Sequence, residues 1–171
     1  VKAYSQAINL DSSAALSYDH RAEAYEMLGE RTLAIEDYDR MIQLSPDSAS
    51  VLTRKAIVLF QLGRLQEAIQ VFDEAIEIYN RTIQTLRHRD KESDAIKLNP
   101  DLALAHNNRG SAYYQLGRIE RAIEDFDQAI QLRPQSAEFY ANRALALELM
   151  GKDAAAQLDF ERAKELGFDT D

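Results

Sequence analysis

The sequence predicts an all-α fold, an α-solenoid of antiparallel helix pairs, and three observations carry that expectation. The chain repeats itself: Leu28-Gly29, Leu62-Gly63, Leu116-Gly117 and Met150-Gly151 are spaced 34, 54 and 34 residues apart. The same offsets relate Ala34, Ala68, Ala122 and Ala156, then Tyr38, Phe72, Phe126 and Phe160, and also Tyr18, Leu52, His106 and Tyr140. A fixed period in the range of 20 to 50 residues marks stacked supersecondary units. Within each period the apolar residues recur at three and four, as in Ile119, Ala122-Ile123, Phe126 and Ala129-Ile130, which is the helical period.

Punctuation places the helices. Four of the six glycines fall at the end of a first helix, where a left-handed residue costs least without a Cβ. Pro46, Pro100 and Pro134 each follow a second helix, where the chain is expected to stop being helical. Asp47 or Ser48, Asp101 and Ser136 then offer N-cap oxygens. The expected pairs are 15–28 with 31–44, 49–62 with 65 onward, 103–116 with 119–132, and 137–150 with 153–166. Residues 1–10 read as a half repeat, the second helix of a preceding unit, because Ala3 to Leu10 parallels Asp125 to Leu132. Repeats therefore span 15–48, 49–82, 103–136 and 137–170 of a single repeat domain.

Small residues set the pairing. Ala22, Ala56, Gly110 and Ala144 sit mid-first-helix, opposite Ala34, Ala68, Ala122 and Ala156. Such side chains let helix axes approach to roughly 8–10 Å, leaving the aromatics to fill the gap to the next repeat.

The 54-residue spacing is 34 plus 20, and Asp73–Asn80 resembles Ser93–Pro100 at that offset of 20. A helical insertion over about 80–99 follows. One form of it is a helix lengthened to about Arg89, then a polar turn and a last helical turn at 94–98. The other is a protrusion with a contact role, since Arg81, Arg87, Arg89, Lys91 and Lys97 against Asp90, Glu92 and Asp94 leave +2 in a chain of −9.

These columns resemble the tetratricopeptide repeat (TPR) family, in its bacterial style. The family's series of small, Gly, Tyr, Ala, aromatic, Ala and Pro positions is matched by Gly110, Tyr113, Ala122, Phe126, Ala129 and Pro134, and the likeness covers nearly the whole chain outside 80–99. Met41 in place of a small residue, His106 in place of a bulky aromatic and Asn80 in place of a proline are departures.

Composition limits the chemistry. With no cysteine, disulfides, thiolate nucleophiles and Cys-ligated zinc are excluded together. A net charge of −9 and a pI near 4.9 repel a polyphosphate backbone, so nucleic acid is not expected as a partner. No apolar run approaches the ~20 residues that span a bilayer, so no membrane insertion is expected. The chain begins at Val1 without a methionine or a signal-like stretch, from which a fragment or processed chain is expected. His20, His88 and His106 are scattered without i,i+4 partners, so neither a metal site nor any cofactor is expected. Glu36-Asp37 and Glu124-Asp125 are expected on outward second-helix faces, too exposed for acid–base work. No nucleophile motif or phosphate loop occurs, and no enzyme activity is expected.

The resemblance implies protein or peptide binding on a concave face lined by first helices. Carried onto this sequence, the facing columns are Asp19, Thr53, Asn107 and Ala141; His20, Arg54, Asn108 and Asn142; Glu23, Ile57, Ser111 and Leu145; and Glu26, Phe60, Tyr114 and Glu148. Among them Asn108 and Asn142 are the leading candidates, because a side-chain amide both donates to and accepts from an extended backbone. Asn107 and His20 border them. Arg54 is expected to hold a carboxylate, with Phe60 and Tyr114 as apolar anchors. Some TPR domains clamp a chaperone's C-terminal carboxylate with Lys, Asn and Arg; Asp19, Glu23 and Thr53 stand at the corresponding surface here, so that clamp is expected to be absent. The basic column Arg21, Lys55, Arg109 and Arg143 is expected to lie over the seam and pair with acids such as Asp37 and Asp125. Two rival readings stand beside the adaptor: a homo-oligomer assembling through uncapped repeat ends and the long inserted helix, and a regulatory arm of a larger protein.

Overall fold

A computed structural model describes residues 1–168; residues 169–171, which include the expected end of the last repeat at 170, lie outside the described residues. Two compact units divide the chain, Val1–Ile78 and Tyr79–Asp171. In the first lie α1 (Lys2–Leu10), α2 (Ala15–Met27), α3 (Arg31–Leu44) and α4 (Ala49–Gln61). The chain passes to the second unit through α5 (Leu65–His88), followed there by α6 (Glu92–Lys97), α7 (Asn99–Gln115), α8 (Ile119–Leu132), α9 (Ala137–Leu149) and α10 (Asp153–Glu165). Helices pack on their chain neighbours: α1 on α2, α2 on α3 and α3 on α4 in the first unit, then α7 on α8, α8 on α9 and α9 on α10 in the second. This is the α-solenoid architecture of antiparallel helix pairs.

The first helices close in one way. After α7, Gly117 takes φ +71°, its N–H donates to Tyr114 O at 2.9 Å, and the Arg118 N–H reaches back to Tyr113 O at 2.9 Å. That pair of bonds is a Schellman motif, which satisfies carbonyls the helix end would leave open. It recurs after α2, α4 and α9. It also closes α5, where Asp90 takes φ +54° and Asp90 and Lys91 N–H groups donate to Arg87 O at 3.1 Å and Leu86 O at 2.9 Å. Aspartate is among the few residues with a Cβ that visit this region routinely.

Two sequence expectations about helix starts are corrected. Pro100 does not break the helix: α7 begins at Asn99, with Pro100 in its first turn, where a missing N–H removes no intrahelical bond. Asp101 consequently lies within that first turn, not at the cap. Ser48 and Ser136 do occupy N-cap positions, but their side chains make no cap hydrogen bond. At α9 a backbone bond covers one open donor instead, Phe139 N–H to Ser136 O at 3.2 Å.

The small-residue columns are buried. Ala22, Ala34, Ala56, Ala68, Ala122 and Ala144 have no exposed surface, and Ala156 has 1%. In the second unit Ala103, Ala129, Ile130 and Phe139 form one core cluster, and Ala144, Leu147 and Ala156 form another with Ile123 and Phe160 against it. The helices come close at Gly110, where a Cβ would stand 2.8 Å from Phe126 Cε1 and 3.1 Å from the Ala122 carbonyl oxygen. An Ala122→Leu chain should therefore be overpacked at this seam and lose about 1–3 kcal/mol. Chemical denaturation of the two proteins measures that loss; an unchanged midpoint would contradict the pairing of α7 with α8.

Candidate functional site

The basic column lies over the seams, and its partners are now specific. Arg109 on α7 grips Asp125 on α8 through Nε to Oδ2 at 2.8 Å and Nη2 to Oδ1 at 2.6 Å. Arg143 does the same to Asp159 at 2.7 Å for both bonds, and Arg21 to Asp37 at 2.9 and 2.6 Å. Each pair is separated by 16 residues. A planar guanidinium matches a carboxylate in this two-bond form. The bond to Asp159, working against desolvation and joined by the bond to Asp127, pushes the Arg143 guanidinium above its ordinary range. Lys55 differs because Val71 stands where the aspartate would be; it pairs backward with Asp39 at 2.6 Å.

This geometry corrects the placement of the acid pairs. Asp37 and Asp125 are 3% exposed, not on outward faces. His106 joins the second of them, with Nδ1 2.8 Å from Asp125 Oδ1 in a buried contact. A cavity of about 260 Å³ beside this group is lined by Arg109, Tyr113, Arg121, Glu124 and Asp125. Its cations already face Asp125 and the Tyr113 ring, the latter with Arg121 at 5.7 Å from the centroid. Among the described residues, no group of three or more His, Asp or Glu is placed to hold a metal ion, and no helix is long and apolar enough to cross a membrane.

The candidate face residues divide between the units. In the first unit, Arg54 on α4 is held within the protein: Nη1 donates to Asp19 Oδ1 and Nη2 to Glu23 Oε1 at 3.2 Å. Its guanidinium also lies over the Tyr38 ring, 5.0 Å from the centroid. Burial, and then the hydrogen bond its hydroxyl donates to Glu26, pushes the Tyr38 phenol up. His20 is exposed, 3.5 Å from the other oxygen of Glu23 and 5.6 Å from the Tyr4 ring. Glu23 thus links His20 to Arg54. Phe60 is half-buried further along α4.

In the second unit, the four remaining candidates lie on α7 and α9, and Asn107 and Asn142 meet across them. Asn107 is 1% exposed and acts as a bridge: its Nδ2 donates to Glu138 Oε1 at 3.1 Å, and its Oδ1 accepts from Asn142 Nδ2 at 2.9 Å. Asn142 is half-buried, fixed on one side by that bond. Asn108 is half-buried and its side-chain amide has no hydrogen-bond partner among the described residues. Tyr114 is half-buried two turns beyond Asn107. Leu104, 36% exposed, and Leu145, 43% exposed, lie on the same stripes.

Sequence reasoning did not find Glu138 and did not assign Asp19 to Arg54. A signal existed: in both units the donor stands 35 residues after its acceptor, Asp19 to Arg54 and Asn107 to Asn142. Positions one repeat and one residue apart meet because adjacent first helices lie side by side.

Two family models match, one described as "Tetratricopeptide repeat" over residues 21–81 and one as "TPR repeat" over 110–151. A curated relative, the small glutamine-rich tetratricopeptide repeat-containing protein 2 of Mycosarcoma maydis, is 28% identical over 78 residues, which is 46% of this chain and 22% of that protein. The chain therefore spans about a fifth of that relative's length. The crystal structure of MamA superposes with a TM-score of 0.78 at 22% identity, covering 96% of this chain and 85% of that one. The first TPR of Spaghetti, solved bound to an HSP90 peptide, superposes at 0.66 and 20% identity over 82% of this chain and 96% of the other. At these identities the structural likeness speaks for the fold.

Proposed function

This chain is a tetratricopeptide repeat protein, hence a protein-interaction scaffold in general terms, and we propose that it holds an extended peptide segment across the α7–α9 face of its second unit. The observation that carries the proposal is the state of Asn108: a half-buried amide without a partner, next in sequence to Asn107, which fixes the amide of Asn142. A half-buried amide left without a protein partner has donors and an acceptor to offer a ligand. Helix axes roughly 8–10 Å apart set the two asparagines to meet a strand rising ~3.3 Å per residue about every third residue. Leu104, Leu145 and Tyr114 supply apolar surface around them. The first unit's candidates support a ligand less directly, because Arg54 already satisfies two carboxylates of its own chain.

The test is a chain carrying both Asn108→Ala and Asn142→Ala, checked for a native melt and then compared with the parent for capture of interacting protein from the source cell. Loss of capture, by about tenfold or more if each amide contributes about 1 kcal/mol, is the expected result. Undiminished capture by a folded double variant places the site elsewhere.

A second reading, self-association, is favoured by one observation. Leu158 on α10 is 66% exposed and Leu149 on α9 is 64% exposed, apolar surface that a second copy would cover. Light scattering across concentration decides it: a monomer throughout removes this reading.

A further inference from the structure

We propose that the α7–α9 face selects by hydrogen-bond polarity, taking an internal, donor-rich segment that carries Lys or Arg and turning away acidic segments. This rests on the peptide-binding reading above and specifies the ligand of that same face.

The argument starts from the direction of the relay. An ionised carboxylate only accepts hydrogen bonds, so Glu138 Oε1 fixes which end of the Asn107 amide faces it: the Nδ2 end, at 3.1 Å. The Oδ1 end of Asn107 must then face Asn142, and it accepts from Asn142 Nδ2 at 2.9 Å. Two amide orientations that are usually a matter of assignment are thereby set by one acidic group. One N–H of Asn142 is spent inside the protein, and its Oδ1 is left as the acceptor that a ligand N–H meets. The relay also immobilises that oxygen before any ligand arrives, which lowers the ordering cost of binding.

Charge on the two helices runs the same way. Their only Lys or Arg residues are Arg109 and Arg143, and both are committed to aspartates on second helices. Glu138 and Glu148 are exposed on α9. No cation of α7 or α9 is therefore presented to a ligand carboxylate, while Glu148, the Glu138 oxygen not bonded to Asn107 and the Asn142 oxygen can accept from a ligand. Exposed Leu104 and Leu145 give the aliphatic stem of a Lys or Arg an apolar surface to lie on. An acidic segment meets like charge and, outside the Asn108 amide, unmatched acceptors, which is how a face rejects a partner as well as choosing one.

The experiment is selection of a random dodecapeptide phage library on the full chain, followed by anisotropy measurements with recovered peptides made as C-terminal amides. Recovered peptides should be enriched in Lys and Arg and depleted in Asp and Glu. Their affinity should fall about tenfold, the equivalent of ~1.4 kcal/mol, on Asn142→Ala. That change leaves the net charge of −9 untouched and so separates this face from bulk attraction. Glu138→Gln keeps an acceptor for Asn107 and should weaken basic peptides severalfold. Acidic peptides that are lost on Asn108→Ala or Asn142→Ala would overturn the polarity inference while leaving the binding face in place. Basic peptides that respond to the asparagines and not to Glu138→Gln would overturn it as well. Peptides indifferent to both asparagines, or no peptides at all, would remove the binding face and the inference with it.

Discussion

Asp125→Ala should cost about 3–5 kcal/mol, a large part of the ~5–15 kcal/mol that holds a typical domain folded. Asp125 is 3% exposed and receives the Nε and Nη2 donors of Arg109 together with His106 Nδ1. Removing the carboxylate leaves a largely buried guanidinium facing a methyl group. The penalty is the desolvation of a guanidinium stripped of its two-bond carboxylate partner more than the loss of the bonds themselves. Asp125→Asn should cost nearly as much, because one of the two acceptor oxygens becomes an NH₂ group pointing at other donors. Urea denaturation of the single variants measures both losses. A combined Arg109→Met, Asp125→Leu, His106→Phe chain should recover most of the stability, since it removes every member of the group and fills the space with apolar atoms. If Asp125→Ala melts within about 1 kcal/mol of the parent, the buried group contributes no more than a surface pair does.

That group shows which parts of the fold a sequence can disclose. The 34-residue columns give helix pairs, their order and their buried faces, because burial of Ala122 or Phe126 follows from periodicity alone. The basic column was legible as a seam element for a similar reason: Arg21, Arg109 and Arg143 each have an aspartate 16 residues on, and Lys55 has Val71. What was not legible was the depth of those aspartates. Adjacent acids such as Glu124 and Asp125 look alike in a sequence, but consecutive helix positions point about 100° apart. One faces solvent and the other faces α7. His106 was hidden by the same limit: an aromatic column says that the site is filled, not that a ring nitrogen will find a carboxylate there. The ends of helices failed differently. Pro100 and Asp101 have the composition of a stop and a cap, yet a proline serves equally well inside a first turn, and α6 brings the chain in already near-helical at Leu98. The left-handed residue that ends α5 is Asp90, and no glycine announces it.

The candidate face was legible as a set of columns and not as a set of bonds. Asn107, Asn108 and Asn142 are indistinguishable by residue type, but the structure gives them three situations: a buried bridge, an unpartnered amide, and an amide half committed. The difference comes from Glu138, which lies one turn before Asn142 on α9. Arg54 is bonded within its own chain because Asp19 and Glu23 occupy the preceding first helix, within reach of a long side chain. Paired acids beside the one cation of a face are a sign that the protein has supplied the cation's partner itself.

Phe126→Ala should be the second severe loss, about 3–5 kcal/mol for a large aromatic removed from a core. Phe126 is 1% exposed and its ring edge lies over Gly110, in the space a Cβ there would need. The cavity would open against a helix backbone on one side and Ala122 on the same α8 face. Rigid backbone collapses into a void less readily than side chains do, which places the expected cost toward the upper end of that range. The relation to Gly110 makes the claim sharper than a burial argument. Gly110→Ala alone adds a helix-favouring residue worth roughly 1 kcal/mol, but its Cβ would meet Phe126 Cε1 at 2.8 Å and Cδ1 at 3.0 Å. The overlap should win, for a net loss of about 1 kcal/mol or more. In a Phe126→Leu background that ring edge is gone, so the same Gly110→Ala change should cost less, the Ala122 carbonyl oxygen at 3.1 Å being the close contact that remains. The two substitutions must therefore couple in a double-mutant cycle by about 1 kcal/mol or more, with a sign favouring the double variant. Independent, additive effects would mean that α7 and α8 do not approach through Gly110 and Phe126, and the seam that sets the α7 face toward α9 would have to be redrawn.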